Sequence, residues 1–155
     1  MRQAPGAPAL QALRLLGSRE PEAIAALAEQ VEEFARRCGC AAPAAQQLAL
    51  VAEEVLTNIA RHAWPDDRPR SFAVAVEARR GANSVEVTLT TEDDGIPFDP
   101  TAAAAPDLEA ALEDRPIGGL GIHFIRSMTD AQSYSRSGGR NRLTVRKTCP
   151  LDGEG

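Results

Sequence analysis

Glu54 and Asn58 stand four positions apart in a stretch, Pro43 to Ala63, whose apolar residues recur at steps of three and four. On a helix that spacing stacks the two side chains on one face. They fall on the border of the stripe formed by Leu48, Val51, Val55, Ile59 and His62, where a helix meets a ligand layer between core and solvent. A carboxylate there can accept a proton, and a neutral amide oxygen can coordinate a hard cation such as Mg²⁺. A second cluster, Asp93-Asp94-Gly95-Ile96-Pro97-Phe98-Asp99-Pro100, closes an alternating segment. The Asp93 carboxylate can accept from an exocyclic amine such as that of adenine, and Gly95 lets the backbone approach a base without a Cβ clash. A third, Gly118-Gly119-Leu120-Gly121, opens an apolar helix carrying Ile122, Ile125 and Met128. Unshielded N–H groups at a helix start attract an anion.

Taken singly, each cluster has a plainer reading. Glu54 and Asn58 suit a solvated helix face, Asp, Gly and Pro are the commonest turn residues, and glycines often enter helices without a ligand. The glycine cluster is not a GxxxxGK[ST] phosphate loop, because no Lys follows it. Nor is it a dinucleotide fingerprint, because no parallel strand–helix–strand unit surrounds it.

The elements that must position these residues follow from periodicity. Residues 1–9, with Pro5, Gly6 and Pro8, read as a flexible N-terminal tail, and residues 10–17 as a short edge strand. From Pro21 the chain is helical, with Ile24, Leu27, Ala28 and Val31 on one face and Gly39 as the stop. The second helix, from Pro43 to about Ala63, ends at Trp64-Pro65-Asp66-Asp67. Phe72, Val74, Val76 and Ala78 alternate, Gly81-Ala82-Asn83 turns the chain, and Val85, Val87 and Leu89 alternate again, which predicts an antiparallel hairpin. Residues 99–117 form a segment long enough to be a lid, with a short helical piece at Pro106 to Glu113. A helix over Gly121 to Thr129 and a second hairpin, 131–137 with 141–148, follow. The prediction is an α+β two-layer sandwich, a mainly antiparallel sheet with helices on one face, spanning 10–148, with 149–155 as a C-terminal tail.

Composition narrows the function. At 155 residues and 43% hydrophobic the chain can bury one core, which at 4% aromatic must be built of Ala, Leu, Val and Ile. A net charge of −5 lacks the basic excess of a direct nucleic-acid binder or of a protein held on an anionic membrane. Cys38, Cys40 and Cys149 are odd in number and lack zinc-site spacing, which fits a reduced cytoplasmic protein; at this spacing Cys38 and Cys40 read as inert. No charged leader or membrane-length apolar run is seen. His62 on the apolar stripe reads as a structural histidine, and Trp64 as packing at the helix end.

In combination the three clusters say more. Helix E-x-x-x-N, then D-x-G after a strand, then G-x-G opening a helix after a lid-sized segment, resembles the GHKL ATP-binding superfamily of gyrase, histidine kinases and related ATPases. Within it, Glu54-Val55-Leu56-Thr57-Asn58-Ile59-Ala60-Arg61-His62-Ala63 resembles the N-box of the anti-sigma factor/serine-protein kinase family. Asp93 to Pro100 resembles that family's first glycine box, and Gly118 to Ile122 its second. The resemblance implies a histidine-kinase-like ATP-binding fold with ATP and Mg²⁺ as cofactors. By it, Glu54 would be the general base and Asn58 the Mg²⁺ ligand. Asp93, with Gly95 beside it, would read adenine; Gly118, Gly119, Leu120 and Gly121 would present N–H groups to the phosphates. Arg115 would touch a phosphate or a partner. Asn141 stands where relatives often place a Thr near the nucleotide.

The implied function is a protein serine/threonine kinase that phosphorylates an anti-sigma factor antagonist and sequesters a sigma factor, with a homodimer as the assembly that family resemblance suggests. Two rivals remain open. One is a catalytically silent, nucleotide-dependent binding module. The other is a detached histidine-kinase ATPase domain, against which the Pro97-Phe98-Asp99-Pro100 sequence speaks.

Overall fold

The structure, a computed structural model, describes residues 9–102 and 119–153. The tail before residue 9, the helical piece at Pro106 to Glu113, most of the expected lid, Arg115 and Gly118 lie outside the described residues. The chain runs β1 (Ala9–Ser18), α1 (Pro21–Arg37), α2 (Ala42–His62), β2 (Ser71–Arg80), β3 (Ser84–Asp93), a 3-10 turn (Pro100–Ala102), α3 (Gly119–Met128), β4 (Ala131–Ser137) and β5 (Arg140–Pro150).

Five antiparallel strands form one sheet in the order β1-β2-β3-β5-β4, so the last hairpin inserts with β5 against β3 and β4 on the edge. The alternation in β2 and β3 sends Phe72, Val74, Val76, Ala78, Val85, Val87 and Leu89 inward. They meet the apolar stripes of α1 and α2, whose Ile24, Leu27, Val31, Phe34, Leu48, Val51, Val55 and Leu56 are buried with them. This is the α+β two-layer architecture, and small aliphatic side chains dominate its core as the low aromatic content requires.

The helix limits have local causes. Pro21 occupies the first turn of α1, where its missing N–H costs nothing. Gly39, at φ 106°, takes the left-handed conformation that ends the helix. The tip of the last hairpin is the two-residue loop Gly138-Gly139, with φ 59° and 76°, which joins Ser137 to its partner Arg140. Two consecutive positive φ values define the turn type that matches strand twist.

The end of the chain corrects an expectation. Residues 149–155 do not begin as a tail: β5 continues to Pro150, Cys149 is fully buried, and Leu151 forms a β-bridge with Cys40. The bridge lets the α1–α2 connection dock on the sheet, with the Ala41 N–H donating to the Pro150 carbonyl at 2.9 Å. All three cysteines are buried and free. The Cys40 thiol is held protonated by its hydrogen bond to Cys149 and by burial.

Candidate functional site

Asn58 lies one turn from the end of α2 and is only 4% exposed. Its Nδ2 has no hydrogen-bond partner among the described residues. A buried amide in that state costs about 1–3 kcal/mol unless something in the adjoining space accepts from it. The adjoining space is a narrow pocket that opens to solvent on one side. Its walls are Val55 and Ile59 of α2, Ala63 just past its end, Phe98 and Pro100 of the acidic turn, and Leu143 of β5, with Asn58, Thr91, Asp93, Tyr134 and Asn141 as its polar members. Apolar walls with a few convergent polar groups are the usual make-up of a small-molecule site.

Strand parity brings Thr91 and Asp93 inward behind Val85, Val87 and Leu89, with 1% and 6% of their surfaces exposed. The Thr91 hydroxyl, like Asn58 Nδ2, has no partner among the described residues. Asp93 Oδ1 accepts from the Gly95 N–H at 2.9 Å and from Asn141 Nδ2 at 3.0 Å. Asn141 is Asp93's direct partner across the β3–β5 ladder. Its Nδ2 also donates to the Ile96 carbonyl at 2.7 Å. Its Oδ1 accepts from the Tyr134 hydroxyl and, at 2.8 Å, from Arg136 Nη1, which donates in addition to the Gly95 carbonyl at 3.0 Å. Two donors on the amide oxygen dictate that the amide nitrogen faces Asp93. The hydrogen bonds to Asp93 among the described residues all fall on Oδ1, which leaves Oδ2 as the acceptor for a ligand.

Gly95 makes a close contact that the sequence did not suggest. A Cβ built there would lie 2.3 Å from the Ala63 carbonyl oxygen and 2.5 Å from Ala63 Cβ, so the end of α2 takes the space a side chain would need. The next residue, Ile96, donates its N–H to that same carbonyl at 2.7 Å. The acidic turn is thereby stitched to the helix that carries Asn58. Two side chains reinforce the seam. Trp64 is 6% exposed and donates from Nε1 to Asp94 at 2.9 Å, with the Arg19 and Arg70 guanidinium groups 5.7 and 5.8 Å from its ring. His62, half-buried, stacks on Phe98 with ring centroids 4.9 Å apart. Burial, then the nearby Arg61, lowers the His62 pKa below its ordinary value.

Glu54 does not line this pocket. One turn before Asn58 and half-buried, it borders an open polar groove formed with Arg19, Pro21, Ile24, Glu53, Thr57, Ala60 and Arg61. Gly119, Leu120 and Gly121 make the first turn of α3, which starts two residues earlier than the periodicity suggested. Their N–H groups are therefore among those that no helical carbonyl pairs. Arg126 of α3 donates to the Thr101 carbonyl and so ties the helix to the 3-10 turn.

The structure thus brings Asn58, Asp93 and Asn141 to one pocket, puts Glu54 on the neighbouring groove and Gly95 at the seam. Sequence reasoning missed Thr91, Tyr134 and Arg136. A signal for Thr91 existed: it is a polar residue at inward parity, two positions before Asp93. Nothing local marked Tyr134 or Arg136, which act only through the pairing of β4 with β5.

Comparison with known proteins adds to this geometry. The profile of the histidine kinase-like ATPase domain family matches residues 17–147. The serine/threonine-protein kinase BtrW of Bordetella bronchiseptica (strain ATCC BAA-588 / NCTC 13252 / RB50) is 37% identical over 98 residues, which is 63% of this chain and 66% of that protein. The chain so matches just under two thirds of that relative's length. Among solved structures, the SiaB–SiaC complex from Pseudomonas aeruginosa superposes with a TM-score of 0.45 at 17% identity, over 88% of this chain and 89% of that one. The histidine kinase domain of the blue-light activated histidine kinase of Erythrobacter litoralis EL346 gives 0.42 at 18% identity, over 84% and 60%.

Proposed function

Since the chain belongs to the histidine kinase-like ATPase family, we propose that it binds Mg²⁺–ATP in the pocket between α2, β3 and β5 and phosphorylates a serine or threonine of a protein partner. The partner is an anti-sigma factor antagonist, and the same chain sequesters a sigma factor. One observation carries the reading: four buried polar residues, Asn58, Thr91, Asp93 and Asn141, converge with Tyr134 on a single pocket whose remaining walls are apolar. The name of the BtrW relative, a serine/threonine-protein kinase, supports the reaction class.

Each residue has a part that its position allows. Asp93 Oδ2 accepts the exocyclic amine of adenine. The N–H groups of Gly119, Leu120 and Gly121, reinforced by the dipole of α3, meet the phosphates; by family resemblance Gly118 would join them and Arg115 would touch a phosphate or a partner. The amide oxygen of Asn58 fits a Mg²⁺ ligand, being hard, neutral and buried at the pocket wall. Among the described residues no three His, Cys, Asp or Glu side chains gather as a metal cage. Asn58 and the phosphates would therefore hold the ion, the habitual arrangement for magnesium. When bound, Mg²⁺–ATP supplies the phosphoryl group and neutralises charge that develops on it.

Glu54 accepts the proton of the attacking hydroxyl. Its place on the open groove suits an acceptor that arrives on another protein, because the adjoining space is accessible from outside. Exposed Arg61 flanks that groove and offers a charge to such a partner.

The same placement favours a second reading, a nucleotide-dependent binding module without phosphoryl transfer, because Glu54 stands outside the pocket. One experiment separates the two. Radiolabelled ATP is incubated with candidate antagonist proteins and either the wild-type chain or Glu54→Gln, and ATP affinity is measured by calorimetry in parallel. A loss of label of about 10² or more with ATP affinity retained is the expected result. Equal label from both chains refutes the base. Binding without label from the wild type, across the antagonists tried, establishes the module. Acid-stable label identifies phosphoserine or phosphothreonine, whereas acid-labile label would return the chain to the histidine-kinase reading.

A further inference from the structure

Thr91 is buried to 1% exposure, lines the pocket, and has a hydroxyl with no hydrogen-bond partner among the described residues. A structural threonine on an inward strand position would ordinarily return its hydroxyl to a neighbouring carbonyl. Valine would fill the same volume without the cost of burying an unpaired hydroxyl, as Val85 and Val87 do on the same face. Two residues further on, Asp93 has Oδ1 occupied by Gly95 and Asn141. Asn141 is in turn saturated: both amide hydrogens are donated, and its oxygen accepts from Tyr134 and Arg136.

Resting on the reading of the pocket as an ATP site, we infer that Thr91 is a second base-reading residue and Asn141 the positioning residue that makes the reading selective. Thr91 and Asp93 are successive inward residues of one strand, about 7 Å apart along its axis, and the longer Asp93 side chain together with one bridging water at Thr91 lets both reach the same purine edge. Asp93 Oδ2 accepts from the 6-amino group. The Thr91 hydroxyl donates to ring nitrogen N1 beside it, across one water. Asn141 holds the carboxylate with its free oxygen toward the ligand and, having no hydrogen left to give, offers the base no donor.

The pair therefore demands a donor at position 6 and an acceptor at position 1. A 6-oxopurine presents the reverse pattern and brings its oxygen against a carboxylate. Selectivity arises because a site built for one hydrogen-bond pattern leaves buried groups unpaired with the other.

Nucleotide analogues test this atom by atom. Calorimetry in the presence of Mg²⁺ compares ATP, 1-deaza-ATP (no N1), purine riboside triphosphate (no 6-amino group) and GTP. Thr91→Val keeps the shape of the side chain and removes an unpaired hydroxyl, so the fold persists. It is expected to weaken ATP about 10-fold while leaving 1-deaza-ATP unchanged. Asn141→Leu is expected to weaken ATP more than purine riboside triphosphate. Thr91→Val binding ATP as the wild type does overturns the inference. So does equal weakening toward ATP and 1-deaza-ATP, which marks Thr91 as structural. A wild-type chain that takes up neither ATP nor ADP sinks the ATP site itself and this inference with it, whereas the preceding outcomes leave the ATP site standing.

Discussion

Gly95→Ala isolates the seam between α2 and the acidic turn. Gly95 is not among the glycines with positive φ, so alanine can adopt its backbone conformation and the penalty is one of contact alone. The new methyl would meet Ala63 O at 2.3 Å and Ala63 Cβ at 2.5 Å, and backbone atoms cannot swing aside as a flexible side chain can. Relief requires the turn to withdraw from the helix end, which stretches the Ile96 N–H to Ala63 bond of 2.7 Å. Overpacking costs about 1–3 kcal/mol and a compromised buried hydrogen bond about 1–3 kcal/mol. Partial relief of each by the other gives a combined loss of about 2–4 kcal/mol. At about 2–4 °C per kcal/mol for a domain of this size, the midpoint of thermal unfolding falls by about 5–15 °C.

The assay is urea and thermal unfolding of the variant beside Gly138→Ala. Gly138 has φ 59° and nothing within 4 Å of the place a Cβ would take, so alanine there carries only the left-handed backbone cost of about 1–2 kcal/mol. Gly95→Ala should also bind ATP more weakly, since the Gly95 N–H and carbonyl serve Asp93 and Arg136. A Gly95→Ala protein within about 0.5 kcal/mol of the wild type would refute the steric reasoning.

Two further predictions concern the same seam. Trp64→Phe keeps most of the buried ring but removes the 2.9 Å hydrogen bond to Asp94, and should cost about 1.5–3 kcal/mol in urea unfolding, the usual worth of a bond to a charged group; an unchanged midpoint would mean that the bond contributes nothing net. His62, with its folded pKa lowered by burial and Arg61, binds a proton more readily when unfolded. Stability is thus complete above about pH 6.5 and declines as pH falls through the folded-state value, by a fraction of a kcal/mol for a ring only half-buried; a wild-type slope between about pH 7.5 and 5 no steeper than that of His62→Gln would contradict it.

The sequence made visible whatever depends on neighbours along the chain. Pro21 and Gly39 marked α1, Trp64-Pro65 marked the end of α2, and the alternation about Gly81-Ala82-Asn83 marked the β2–β3 hairpin. Glu54 and Asn58 were rightly put on one helix, but their division between two recesses was not legible, because it turns on which elements pack beside each. Asn141 could be placed near the site only through resemblance. Its partner Asp93 is 48 positions away, and its other supports, Tyr134 and Arg136, lie on a strand whose register is set by pairing and not by pattern. Gly95 was singled out for the close approach it allows to a base; its contact with Ala63 becomes visible only when α2 is docked.

The hairpin tip at Gly138-Gly139 acts as a ruler for the pocket beside Asp93. Asn141 is the second residue of β5, so the length of that tip decides which side of the sheet receives its amide. One residue added there, with the two-residue turn kept, would export Asn141 to the solvent side and carry Arg140, a full cation, to the place beside Asp93. A longer loop that shifts β5 against β3 by even one position would therefore part Asn141 from Asp93, although the tip itself lies at the far end of the hairpin's turn.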